Sequence, residues 1–183
     1  LTSSKPIQKK YDLISIRGIS ENYNIKEIIN RKNKYLPERS LCICHPFGDE
    51  EYYKEAIKNL DSNTCLKGKL DREEYFCALQ ESTIAISIPT SDSSPRSVYE
   101  AIFFGLPVIV TKNSYLNLLP KTMRARCVIA DTSDDLWLEK SFIEAAKISR
   151  KTFLPCKDSL RLFDQEKCFD LVELILKNTY HSA

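Results

Sequence analysis

The sequence has 183 residues, 43% of them hydrophobic, which is enough to bury one well-packed domain and too few for two large ones. Its 27 basic and 25 acidic side chains leave a net charge of +2, so there is no basic field to recruit nucleic acid. No apolar run approaches the ~20 residues of a membrane span; the richest, Val98 to Thr111, is interrupted by Glu100, Gly105 and Pro107.

Short strand-like runs alternate with helical ones along the chain. Tyr11 to Ile16 is predicted as a strand, because Leu13, Ile14 and Ile16 form the near-continuous apolar run of a strand buried on both faces. Gly18 breaks it, and Ile25, Ile28 and Ile29 then recur at helical spacing. Ser40 to Cys44 is a second strand, ending in the turn His45-Pro46-Phe47-Gly48. Tyr53, Ala56, Ile57 and Leu60 line one face of a helix. A third strand is expected near Thr64 to Leu66, followed by Gly68, with a helix starting at Asp71 and Glu74 and running through Leu79. Thr83 to Ile88 is the fourth strand, closed by Pro89. Ser94 and Pro95 read as cap and first residue of the next helix, which carries Val98, Ala101 and Ile102 inward and stops at Gly105. Val108 to Val110 and Cys127 to Ala130 complete the strands. Two helices are expected to follow, one starting around Thr132 to Asp135 and one from about Asp164 to near Lys177. Such alternation implies an α/β fold: a doubly wound, mostly parallel sheet with helices on both faces. Residues 1–10 are expected to be a linker or remnant, since the first residue is Leu1 rather than Met, and 11–183 a single domain.

An odd count of seven cysteines, no Cys-x-x-Cys and only two histidines argue against a disulfide framework or a zinc site. Most of the seven are expected to be small core hydrophobes in a reducing cytoplasm, with Cys42 and Cys44 on one face of their strand.

In doubly wound sheets ligands bind beyond the carboxyl ends of the strands, where the strand order reverses. The loop after Ile88 is the richest in chemistry. It combines Asp92, the hydroxyls of Ser91, Ser93 and Ser94, and a helix N-terminus able to receive an anion or a sugar hydroxyl. Glu100 lies on an otherwise apolar segment, where a carboxylate needs a partner. Two ribose hydroxyls would supply one; so would Arg96 at the i, i+4 spacing, with Asp92 and Ser94 merely capping the helix.

The run Ser91-Asp92-Ser93-Ser94-Pro95-Arg96-Ser97-Val98-Tyr99-Glu100-Ala101, continuing to Gly105, Pro107 and Val108, resembles the signature of family-four GT-B glycosyltransferases: an acidic residue, seven intervening residues, a glutamate, then Ala, Gly, Pro and Val. Leu66-Lys67-Gly68 with the helix after it, Arg17 after the first strand, and Phe163 to Leu176 extend the likeness over most of the chain, as one Rossmann-like half of a two-domain enzyme. The resemblance implies donor binding. Asp92, with Ser93, Ser94, Pro95 and Arg96, would hold the donor sugar and Glu100 the ribose. Arg17, Gly18 and Ser97 would meet the diphosphate, and Leu66, Lys67 and Gly68 would frame the base. Transfer with retention and no bound metal or other cofactor is implied, basic side chains and a helix dipole neutralising the leaving diphosphate. The partners implied are a nucleotide-sugar and a glycan or lipid-linked acceptor, the acceptor bound through an amino-terminal domain lying outside this sequence. The expected setting is the cytoplasm, with peripheral membrane contact as an alternative. Two departures stand out. Asp92 replaces the commoner Glu, and Glu21, Asn22 and Tyr23 occupy the place of a lysine that usually accompanies the arginine, with Lys26 or a residue of the second domain as the expected substitute. His45 is read as a turn residue, and no catalytic base is assigned. Competing readings are a GT-B-like domain that binds a glycan or partner without turnover, a sugar-nucleotide epimerase, and an exostosin-like transferase.

Overall fold

The computed structural model describes residues 8–92 and 95–162. Its strands are β1 (Tyr11–Ser15), β2 (Leu41–Cys44), β3 (Thr64–Lys67), β4 (Ser82–Ser87), β5 (Val108–Val110) and β6 (Cys127–Ile129). They form one sheet in the order β3-β2-β1-β4-β5-β6, every neighbouring pair parallel. The order reverses between β1 and β4, which lie side by side, so the crevice between their loops is the place to look for a ligand.

Register explains why the central strands carry no polar alternation. Leu13 aligns with Leu41 and Ile84 on one face, Ile14 with Cys42 and Ala85 on the other, and all six are fully buried. The first face is covered by α1 (Ile25–Tyr35) and α6 (Trp137–Ser149), with α2 (Glu50–Ala56) beside them. The second is covered by α3 (Arg72–Gln80) and α4 (Arg96–Phe103), with the short α5 (Lys121–Arg124) at its margin. Each fully buried Leu, Ile or Val contributes roughly 1.5–3 kcal/mol. Trp137, 1% exposed, anchors α6 on the first face.

Local signals fix the ends of the site-bearing helices. Asp71 and Glu74 form a reciprocal capping box at the start of α3: Glu74 N–H donates to Asp71 Oδ1 (2.8 Å) and Asp71 N–H to Glu74 Oε2 (3.0 Å). Gly105 ends α4 at φ +81°, its N–H donating to the Ile102 carbonyl (2.9 Å) while Leu106 N–H donates to that of Ala101 (3.0 Å).

Several expectations need correction. Pro95 is the N-cap of α4 rather than its first helical residue, and it offers no side-chain cap. The helix after Gly48 ends at Ala56 and continues as a 3-10 turn, Ile57–Asn59. A 3-10 turn at Ser114–Asn117, α5 and a short α7 (Lys157–Arg161) were not expected. Of the described cysteines only Cys42 and Cys44 are buried; Cys65, Cys127 and Cys156 are half-buried and Cys77 is exposed, so most are not core residues. The expected helix from Asp164 to Lys177, Phe163 to Leu176, Cys168, Ser93 and Ser94 lie outside the described residues. Among the described residues no helix is long and apolar enough to cross a membrane.

Candidate donor-binding cleft

A cleft of about 360 Å³ opens beyond the carboxyl ends of β1 to β4. Ile16 and Cys44 sit at its base, where β1 and β2 end, with Pro46 beside them. One wall is the turn after β3 with the start of α3: Gly68, Leu70, Asp71, Arg72 and Tyr75. The other is the first two turns of α4, which contribute Ser97 and Glu100.

The two loops at the switch point are tied across it. Arg17 forms an ion pair with Asp92, both side chains 12% exposed, and its Nη1 donates to Ser97 Oγ at 3.0 Å. The guanidinium also lies 4.7 Å above the Tyr23 ring. Asparagines hold the rest of the β4 loop. Asn24, in the left-handed region at φ 53°, donates from Nδ2 to the Ile88 carbonyl (2.8 Å). The Thr90 N–H donates to the Asn22 carbonyl (2.8 Å), and the Asp92 N–H donates to Asn113 Oδ1 (3.1 Å). Asp92 therefore has a fixed backbone and a committed side chain.

Glu100 is 15% exposed and pairs with Arg96 Nε at 3.2 Å, the favourable i, i+4 contact. Tyr75 stands in the opposite wall. Its hydroxyl is buried with no hydrogen-bond partner among the described residues, and burial, then the Glu100 carboxylate, push its pKa well up. At the base, Cys44 brings its sulfur to 3.8 Å from that of the fully buried Cys42; contact with Cys44, then burial, pushes the Cys42 thiol up.

Neither a protein-family model nor a curated protein matches the sequence. Solved structures do. AviGT4, a glycosyltransferase involved in avilamycin A biosynthesis, superposes with a TM-score of 0.58 at 18% identity over 85% of this chain and 45% of its own. The pneumococcal O-GlcNAc transferase GtfA, in complex with UDP and GlcNAc, gives 0.54 and 18% over 90% and 36%. The C-terminal domain of a group 1 family glycosyl transferase, LpcC from Francisella tularensis, gives 0.57 and 15% over 78% and 80%. This last match covers about four fifths of each partner, and that partner is a C-terminal domain. The chain has the fold of a GT-B glycosyltransferase domain. It spans less than half the length of AviGT4 and of GtfA.

Within this fold the expected site residues separate. Glu100, Ser97 and Gly68 line the cleft, and Arg17 and Asp92 meet beside Ser97. Leu66 packs into the cluster on the opposite face of the sheet, and Lys67 places its ammonium 5.6 Å from the Tyr11 ring. Neither lines the cleft. Gly18 lies beneath the exposed Phe47 ring, which a Cβ there would have to push aside. Pro95 is buried at the helix start, and Arg96 is exposed apart from its contact with Glu100. Lys26 does not replace the missing lysine: its ammonium bonds Glu55 at 2.6 Å on the surface. His45 packs against Tyr53 at 5.4 Å, burial lowering its pKa, and it does not line the cleft. Sequence reasoning missed Tyr75, Leu70, Arg72 and the three asparagines. Of these only Asn24 carried a local signal, since asparagine tolerates the left-handed conformation.

Proposed function

We propose that the chain is the donor-binding half of a retaining glycosyltransferase, holding a nucleotide-sugar for transfer to a glycan or lipid-linked acceptor bound by another domain. Glu100 accepts the two ribose hydroxyls, exchanging its contact with the exposed Arg96 for them. Arg17, Ser97 and the positive end of α4 meet the diphosphate, so no metal is required. The base lies toward Gly68, and Asp92 with Ser93 and Ser94 meets the sugar. The reaction is proposed to run in the cytoplasm, and no residue of this chain is given the role of catalytic base.

The observation that carries this reading is a cleft at the strand-order reversal with Glu100 and Ser97 in its wall and Arg17 bonded to Ser97. GtfA, which shares the fold, was crystallised with UDP and GlcNAc, and this supports a nucleotide in the cleft. A second reading, a GT-B-like module that binds without transfer, draws on Asp92 and Glu100 both being paired already and on Tyr23 stacking against Arg17.

Thermal unfolding with UDP, GDP, ADP, dTDP and CMP and their common sugars tests the donor site. A ligand at about 100 times its Kd stabilises by about 2.7 kcal/mol, a rise of roughly 5–10 °C for a chain of this size. That rise is expected with one base and should be largely lost in Glu100→Gln, since a charged hydrogen bond contributes about 1.5–3 kcal/mol. A rise retained in Glu100→Gln removes the ribose assignment; no rise with any ligand removes the donor reading.

A further inference from the structure

Arg17 follows β1 and Asp92 belongs to the loop after β4, so their ion pair bridges the two loops at the strand-order reversal. Its members are the cation proposed for the diphosphate and the carboxylate proposed for the sugar. Each is the other's partner, and each is largely shielded from water. A diphosphate arriving beside Arg17 therefore meets a carboxylate already in place, and at low effective dielectric that repulsion is large. Sugar hydroxyls are donors, and a carboxylate can take them in place of a guanidinium.

We propose that the Arg17–Asp92 pair is a specificity device: sugar hydroxyls draw Asp92 off Arg17 and so release the guanidinium to the diphosphate, favouring the intact nucleotide-sugar over the free nucleoside diphosphate. The inference rests on the donor-binding reading above. The exchange proposed is a rotation of the Asp92 side chain. Asn113 holds the Asp92 backbone, while Ser97 and the Tyr23 ring keep Arg17 in place. The two ends of the ligand are thus coupled through two side chains, with no movement of the sheet. Once the sugar has been transferred, Asp92 returns to Arg17 and displaces the product.

Calorimetric titration of the 183-residue protein tests this. The ligands are UDP, GDP and ADP, each beside UDP-glucose, UDP-N-acetylglucosamine, GDP-mannose and ADP-glucose. Wild type should bind the nucleotide-sugar about tenfold tighter than its diphosphate, the low end for a close charge pair. Asp92→Asn should raise affinity for the free diphosphate by about tenfold and bring the ratio close to one. In an Arg17→Gln background most of that gain should vanish, which separates release of the guanidinium from simple loss of repulsion. Asp92→Ala repeats the measurement if the amide variant melts lower than wild type. Should both Asp92 variants bind the diphosphate no better than wild type, in a protein that binds the nucleotide-sugar, the exchange is overturned and the donor site stands. Binding of none of these ligands by wild type overturns the donor reading, and the exchange with it.

Discussion

Gly105→Ala isolates the cost of one backbone conformation. Gly105 sits at φ +81°, and a Cβ built there meets no atom within 4 Å, so the substitution creates no clash and removes no packing. What remains is the left-handed conformation itself, about 1–2 kcal/mol for a residue with a Cβ. The smaller entropy of the unfolded alanine chain offsets about 0.5 kcal/mol of this. The net loss should be about 1 kcal/mol, a fall in Tm of roughly 2–4 °C at this chain length. Urea unfolding should show a lower midpoint at an unchanged slope. Because Gly105 lies at the far end of α4 from Ser97, any shift produced by a nucleotide should be the same size in the variant. A loss above about 3 kcal/mol would refute the argument, since only a steric conflict or a collapsed turn reaches that size.

Three further outcomes follow from other contacts. Arg126 is 4% exposed and donates to the carbonyls of Gly105, Ile148 (3.0 Å) and Lys151 (2.7 Å), so Arg126→Leu should cost about 3 kcal/mol in urea unfolding by stranding them. A cost below about 1 kcal/mol would mean that water reaches those carbonyls. Tyr75→Phe removes a hydroxyl with no partner among the described residues, so stability should stay level or rise by up to about 1 kcal/mol; a clear loss would show the hydroxyl to be bonded. Hydrogen bonds with Ser159, then Thr122, hold Cys156 down to about 7. A depressed pKa keeps the reactive thiolate present above that pH and loses it as pH falls through it. Alkylation followed by mass spectrometry should therefore level off above about pH 8, and Thr122→Val should move the profile upward; a rate still climbing at about pH 9 would contradict the assignment.

The strands were legible because each is a short apolar run stopped by Gly, Pro or a polar turn, and a parallel sheet buried on both faces asks for little else. The box at Asp71 and Glu74 was equally plain, its residues being adjacent on one turn. Leu66 was misplaced although the signal existed: alternation in an extended strand sends it to the face opposite Cys65 and Lys67. The Arg17–Asp92 pair was beyond reach, because its members meet only when β1 and β4 become neighbours, and no local spacing encodes that. Tyr75 and Arg72 belong to the cleft for a similar reason, the approach of α3 to α4. The cysteine expectation failed on the edge strands, at Cys65 and Cys127, and outside the sheet, at Cys77 on α3 and Cys156 before α7, because residue type alone says little about depth.

The placing of β4 beside β1 also sets an order of events during synthesis. Tyr11 pairs with Ser82, and Leu13 and Ile14 keep one open edge until Ser82–Ser87 has left the ribosome. Without β4, the apolar β1 would stand at the rim of the sheet, an open edge of the kind that templates a neighbouring chain. The crevice at the reversal would be missing too. The docking of β4 against β1 thus covers that edge and creates the crevice in one and the same contact.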